Sequence, residues 1–167
     1  GTGNRGAYVA SMLAKNTPAR VVALCDIVPE ALEAAKKQIG VENPRLYSDF
    51  RQMLASDIDA ILIATPVFLH AEHFEAAIKS GKHIYIEKPA SMDVEGCKRI
   101  MRAADAADRK INITFGFQRR YGQVYQKAKH LADSGAIGKI PLGFARFIKS
   151  EGLSRSGAKL PVPKSDA

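Results

Sequence analysis

A glycine-rich segment opens the sequence, and an acidic residue follows it at an informative distance. The segment reads Gly1-Thr2-Gly3-Asn4-Arg5-Gly6, and Asp26 comes twenty positions after Gly6. Three glycines with this spacing form a tight turn, let the backbone approach a pyrophosphate and let a helix pack closely on a strand. The first turn of that helix would hold the phosphates, because its unpaired N–H groups and its dipole favour negative charge.

Asp26 predicts which dinucleotide binds at such a turn. It ends the apolar run Val21–Cys25, so it stands where a second strand would stop. A carboxylate there can accept hydrogen bonds from both adenosine ribose hydroxyls and would repel a 2′-phosphate. Taken alone, the glycines also fit an ordinary turn. The acid and the helical pattern after Gly6 favour a dinucleotide site that prefers NAD to NADP.

Further polar residues come directly after three other predicted strands. The carboxyl ends of parallel strands meet at one edge of a sheet, where open α/β folds bind ligands. We therefore expect these residues to converge with the glycine turn and Asp26. They are Thr65-Pro66 and His70 after Ala60–Ala64, Glu87-Lys88-Pro89 after Lys82–Ile86, and Gln118-Arg119-Arg120-Tyr121 after Asn112–Phe115.

Lys88 is the predicted catalytic residue. Pro89 restricts Lys88 to an extended backbone, which aims its side chain away from the strand end. An ammonium group there can donate to a substrate hydroxyl or carbonyl beside the nicotinamide and take part in proton transfer. The alternative is a solvated surface turn. Arg119 and Arg120 could clamp an anion or bind sugar hydroxyls, or pair with an acid such as Asp133.

The sequence gives less support to a metal site or to a nucleophilic cysteine. His70 and His73 are three positions apart on a predicted helix, but no third ligand has suitable spacing and HExxH is absent. His70 is expected to lie close to the cofactor instead, and His73 at the surface. Cys25 and Cys97 stand in apolar contexts and read as buried thiols. We expect no metal site.

Strand and helix patterns alternate along the chain, which predicts an α/β fold. The expected form is a Rossmann-type doubly wound parallel sheet. Strands are predicted at 20–25, 45–47, 60–64, 82–86, 112–115 and 141–148. Helices are predicted at 6–15, 30–38, 50–55, 69–80, 93–108 and 123–134.

The fingerprint normally follows a strand, but the sequence starts at Gly1. We therefore expect the first strand of the sheet to be missing. In the strand order 3-2-1-4-5-6 that strand is central, so its neighbours would lack a shared partner. Residues 1–138 are assigned to an NAD(P)-binding domain, and residues 139–167 to the beginning of a truncated C-terminal α/β domain.

Composition and charge bound the remaining classes. The 46% hydrophobic and 25% charged content is typical of a globular protein, and no apolar run could cross a membrane. The net charge is +8, and residues 111–167 hold ten basic and three acidic side chains. An anionic ligand or a missing partner segment explains this better than nucleic acid, which would need a basic stripe with stacking aromatics. A cytoplasmic location is the default.

The sequence resembles the glucose-fructose oxidoreductase / inositol dehydrogenase / MocA family. The resemblance covers residues 1 to about 148. Besides the glycine turn, the matching stretches are Leu24-Cys25-Asp26, Ala64-Thr65-Pro66 with His70-Ala71, Gly81-Lys82-His83-Ile84-Tyr85-Ile86-Glu87-Lys88-Pro89, Gly116-Phe117-Gln118-Arg119-Arg120-Tyr121 and Ser134-Gly135-Ala136-Ile137-Gly138-Lys139-Ile140. Two positions depart from the family pattern: Val67 replaces a frequent Asn, and Gln123 replaces a frequent Pro.

The resemblance implies an oxidoreductase that transfers hydride between a sugar or polyol and NAD. It implies that Lys88 contacts substrate and cofactor, that the main acid/base residues lie in a second domain, and that subunits often pair through that domain. An NAD-dependent glycoside hydrolase and a non-catalytic NAD-binding module are the alternatives. The expected cofactor ligands are Gly1, Gly3, Asn4, Arg5, Gly6, Asp26, Thr65, Pro66, His70, Glu87, Lys88 and Gln118; the expected substrate ligands are Lys88, Arg119 and Arg120.

Overall fold

The computed structural model describes residues 1–146, in which helices and strands alternate. The helices are α1 (Asn4–Asn16), α2 (Pro29–Ile39), α3 (Phe50–Leu54), α4 (His70–Lys79), α5 (Val94–Asp105) and α6 (Gln123–Asp133). The strands are β1 (Ala23–Cys25), β2 (Arg45–Tyr47), β3 (Ala60–Ile63), β4 (His83–Ile86) and β5 (Ile113–Phe115). Short 3-10 turns occupy Val67–Leu69 and Gln118–Tyr121.

The strands form two parallel sheets. β1 pairs with β2, with Leu24 opposite Leu46, and β3, β4 and β5 pair in that order, with Ile61 opposite Ile84. A cleft of about 590 Å³ is lined by residues of β1, β3, β4 and α1. β1 and β3 share no strand partner among residues 1–146.

Local sequence signals fix several helix ends. Pro29 begins α2, and Gly40 ends it with φ of 75°, a left-handed conformation that costs glycine least. Asp49 caps α3 by accepting a 2.9 Å hydrogen bond from the Arg51 N–H. Asp93 caps α5 by accepting one of 2.6 Å from the Gly96 N–H. Each cap satisfies an N–H group that has no carbonyl partner within its helix.

Two apolar clusters hold these elements. The larger joins β3, β4, α4 and α5 around the fully buried Phe74 and Ile86. The smaller joins α1, β1 and α2 around Leu24, Leu32 and Ala35. Buried side chains in β1, β3 and β4 therefore anchor the segments that follow the carboxyl ends of these strands.

Residues 1–122 form one compact unit, and residues from Gln123 onward belong to a second. The predicted domain boundary after residue 138 stays a prediction. No helix among residues 1–146 is long and apolar enough to span a bilayer.

Two predicted strands differ from the structure by more than one residue. β1 is shorter than the predicted strand 20–25, because the three-residue β2 is its one pairing partner here. Within the predicted strand 141–148, residues 141–146 form no strand and are exposed. An isolated extended segment has no ladder to stabilise it. Residues 147 and 148 lie outside the described part.

Candidate functional site

The three glycines of the opening turn have different surroundings. A Cβ atom on Gly1 would lie 2.7 Å from the Ala64 carbonyl oxygen, and one on Gly6 would lie 2.1 Å from the Gly1 carbonyl oxygen. A Cβ atom on Gly3 would meet nothing within 4 Å. Gly1 and Gly6 thus allow the turn to pack against the end of β3, whereas Gly3 leaves its outer surface open to a ligand.

Helix α1 begins at this open surface. Gly3 precedes the helix and provides no side-chain cap, and the first backbone bond runs from the Ala7 N–H to the Gly3 carbonyl at 3.0 Å. The N–H groups of residues 4–6 therefore have no carbonyl partner within the helix. Together with the helix dipole, they make the turn suitable for a phosphate group.

Asp26 is held against the glycine turn. Its Oδ2 accepts hydrogen bonds from the Thr2 N–H at 2.6 Å and the Thr2 hydroxyl at 3.1 Å, and its Oδ1 accepts one from the Val28 N–H at 3.0 Å. Three bonds leave about one of the roughly four acceptor sites of a carboxylate for a ligand. The predicted proximity of Asp26 to the glycine turn is present.

His70 supports the loop that follows β3 and the turn that follows β4. The residue is 1% exposed. Nε2 lies 3.0 Å from the Thr65 carbonyl oxygen, and Nδ1 lies 2.9 Å from the Pro89 carbonyl oxygen. The side chain thus ties together two predicted ligand-binding segments. Its direct contact with a cofactor stays a prediction.

The predicted surface position of His73 is wrong, because the side chain packs between Phe50 and Thr65. The ring is buried, packs against Phe50 with centroids 4.2 Å apart, and shares a 3.0 Å hydrogen bond with the Thr65 hydroxyl. Burial lowers the pKa of His73 from 6.5 to about 4, so the ring is neutral at pH 7. In residues 1–146 no group of three or more His, Cys, Asp or Glu side chains could hold a metal ion.

Glu87 is the centre of a polar cluster after β4. Only 4% of the residue is exposed. Oε1 lies 2.7 Å from Arg5 Nη2 and accepts a 3.3 Å hydrogen bond from the Tyr85 hydroxyl, while Oε2 accepts one of 3.3 Å from the Lys88 N–H. The hydrogen bond from the Arg5 guanidinium to Glu87 raises the pKa of Arg5. Burial, followed by the Glu87 charge, raises the pKa of Tyr85. A Cβ atom on Gly116 would lie 2.8 Å from Oε1, so glycine leaves room for the carboxylate.

Lys88 follows this buried carboxylate and is exposed, and its peptide bond to Pro89 is cis. The structure therefore places an ammonium-bearing side chain on the surface at the carboxyl end of β4. Gln118, Arg119 and Arg120 lie in the exposed 3-10 turn that follows β5. Their contacts with cofactor or substrate stay predictions.

Sequence reasoning missed three members of these contacts. Thr2 is not among the expected ligands, yet it holds Asp26 through its backbone and its hydroxyl. Tyr85 and Gly116 lie within or beside predicted strands and complete the cluster around Glu87. The position of Thr2 inside the fingerprint was an available signal, whereas nothing in the local sequence pairs Gly116 with Glu87.

The open glycine turn, the start of α1 and Asp26 lie together at the carboxyl ends of parallel strands. This arrangement defines a dinucleotide-binding domain of the Rossmann type. The GFO/IDH/MocA family model, described as an oxidoreductase family with an NAD-binding Rossmann fold, matches residues 1–115. The chain belongs to this family, which confirms the resemblance seen in the sequence.

Several known proteins similar to this chain are inositol dehydrogenases. The inositol 2-dehydrogenase 3 of Saccharopolyspora erythraea is 38% identical over 122 residues, which are 73% of this chain and 35% of that protein. An inositol 2-dehydrogenase of Klebsiella pneumoniae is 40% identical over 72% of this chain and 35% of its own length. The chain thus spans about a third of the length of these relatives.

Solved structures of inositol dehydrogenases are similar to this chain in fold. The myo-inositol dehydrogenase of Lactobacillus casei, solved in complex with NAD(H) and myo-inositol, superposes with a TM-score of 0.76 at 35% identity. The match covers 83% of this chain and 41% of that one. The apo scyllo-inositol dehydrogenase of the same organism gives a TM-score of 0.74 at 34% identity. The α/β Rossmann fold predicted from the sequence is confirmed.

Proposed function

We propose that this chain is the cofactor-binding part of an oxidoreductase that transfers hydride between a polyol or sugar and NAD. The observation that carries the proposal is the position of Lys88. It is exposed at the carboxyl end of β4, and the residue before it contacts the start of the glycine-turn helix. A cationic donor and a phosphate-binding turn at one edge of the sheet suit a nicotinamide cofactor beside an oxygen-bearing substrate.

The residues present fit NAD. The backbone amides of Asn4, Arg5 and Gly6 would receive the pyrophosphate, because Gly3 leaves their surface open. Asp26 would accept a hydrogen bond from the adenosine ribose and disfavour NADP. Thr65 and Pro66 would line the site at the end of β3, next to Gly1.

Lys88 would bind the oxygen that is oxidised or reduced. When bound, NAD accepts the hydride that leaves the substrate carbon. The ammonium group can donate to that oxygen and stabilise the negative charge that develops on it as its proton passes to a base, which we expect in the second domain that the family resemblance implies. Arg119 and Arg120, which follow β5, would hold further hydroxyl groups of the substrate. We also propose that the complete protein is cytoplasmic and self-associates.

The test uses the complete protein encoded by the gene, assayed for NADH formation with NAD and a panel that starts with myo-inositol and scyllo-inositol. Lys88→Met removes the charged donor and keeps similar bulk. We expect turnover of at least one polyol, and we expect Lys88→Met to lower kcat about a hundredfold. Lys82→Met is the matched control, because Lys82 precedes β4 at the opposite end of the strand.

Two results would contradict the proposal in different ways. Release of sugar from an aryl glycoside without net NADH formation would favour the glycoside hydrolase. NAD binding without turnover of any sugar, polyol or glycoside would favour the non-catalytic module. Full turnover in Lys88→Met would contradict the role of Lys88 but not the proposed reaction class.

A further inference from the structure

Arg5 lies in the glycine turn, where its side chain would be expected to contact the pyrophosphate. Its guanidinium instead pairs with Glu87 at 2.7 Å. The two side chains differ in accessibility: 43% of Arg5 is exposed, but only 5% of Glu87 is. A buried carboxylate needs a cation or several donors close by, and Arg5 provides that cation.

Glu87 in turn contacts the backbone of the proposed catalytic residue. Oε2 accepts a hydrogen bond from the Lys88 N–H, and Oε1 is shared by Arg5 and the Tyr85 hydroxyl. Gly116 closes the cluster from the end of β5, since any side chain there would collide with Oε1. The carboxylate therefore has one preferred position, and the orientation of the Lys88 backbone depends on it.

We propose that Arg5 and Glu87 are positioning residues: the Arg5 side chain acts through Glu87 to fix Lys88, and does not serve as a pyrophosphate ligand. This inference rests on the proposed function. It links the segment that binds the cofactor phosphates to the segment that carries the proposed catalytic lysine. The backbone amide of Arg5 keeps its proposed role at the phosphates.

The two roles of Arg5 predict different kinetics. A phosphate ligand contributes to NAD affinity, whereas a positioning residue contributes to the reacting geometry, where a misplacement of about 1 Å can cost about a hundredfold in rate. The variants are Arg5→Met, Arg5→Lys, Glu87→Gln and the double variant Arg5→Met/Glu87→Gln, made in the complete protein. Arg51→Met is the control, because Arg51 forms a 2.7 Å ion pair with Glu72 on the exposed surface.

If the inference is right, Arg5→Met changes the NAD dissociation constant by less than about threefold and lowers kcat more than about tenfold. The double variant is no slower than the slower single variant, because both changes remove the same interaction. Arg5→Lys restores part of the rate by returning a charge. Arg51→Met matches the wild-type protein.

The inference is overturned if Arg5→Met weakens NAD binding more than about tenfold and its effect adds to that of Glu87→Gln. A second measurement tests the inference independently of the proposed function. Hydrogen exchange of the backbone at residues 86–90 should accelerate in Arg5→Met and Glu87→Gln, but not in Arg51→Met. Unchanged exchange in both site variants would also overturn the inference, whether or not the protein turns over a polyol.

Discussion

Replacing Asp26 with Asn should reverse the choice between NAD and NADP. Asp26 keeps about one acceptor position for the ribose after its bonds to Thr2 and Val28. A hydrogen bond to a charged group contributes about 1.5–3 kcal/mol, so the loss for NAD is about 2 kcal/mol. The wild-type carboxylate also repels the 2′-phosphate of NADP.

That repulsion can be worked out from Coulomb's law. Two unit charges about 4 Å apart interact with about 4 kcal/mol at an effective dielectric constant of about 20. Asp26 is only partly buried, so screening by water and salt reduces this to about 2 kcal/mol. The loss for NAD and the gain for NADP together shift the ratio of dissociation constants by about a thousandfold.

Isothermal titration calorimetry of both nucleotides measures this ratio. The ratio is the informative quantity, because an Asn amide that meets the Val28 N–H perturbs both complexes alike and cancels. Asp108→Asn is the control, since Asp108 follows α5 at the opposite edge of the sheet. A ratio that changes less than about threefold, or that changes equally in Asp108→Asn, would contradict the proposal that Asp26 selects NAD over NADP.

Three further changes have defined outcomes. Gly3→Ala should keep the melting temperature but weaken NAD binding at least tenfold. Gly6→Ala should lower both the melting temperature and the NAD affinity, because its Cβ would lie 2.1 Å from a carbonyl oxygen. Calorimetry measures the affinities, and thermal unfolding measures the melting temperatures. The pKa of His73 is about 4 when folded against 6.5 ordinarily, so the unfolded state binds the proton first as pH falls. The free energy of unfolding should then drop by about 2 kcal/mol from pH 6.5 towards 4, and His73→Asn should flatten that slope in urea titrations at several pH values. Phe74→Ala, at a residue with 0% exposure, should cost about 3–5 kcal/mol in urea unfolding; a loss below about 1 kcal/mol would contradict the assigned core.

The sequence predicted the elements well where their signals are local. Helices α1, α2 and α4 are found within two residues of the predicted bounds, because apolar periodicity and end signals such as Pro29 and Gly40 act within a few residues. Strand 45–47 has its predicted bounds. The predicted strand 141–148 is wrong for residues 141–146, which form no strand. Imperfect alternation alone does not supply the neighbouring strand that a strand requires.

The site was predictable as a set of strand ends but not as a set of contacts. The topology of parallel strands brings Asp26, Thr65 and Lys88 to one edge, which motif spacing alone indicates. The bonds of Asp26 to Thr2, and of Glu87 to Arg5, depend on side-chain packing between segments far apart in sequence. For the same reason, the sequence could not show that His70 joins two backbone segments from a buried position.

A crystal structure of the complete protein grown with NAD would test the central claim most directly. We expect the pyrophosphate on the amides of residues 4–6, the adenosine ribose on Asp26, and the nicotinamide beside Lys88. NAD bound elsewhere, or bound with its nicotinamide far from Lys88, would contradict it.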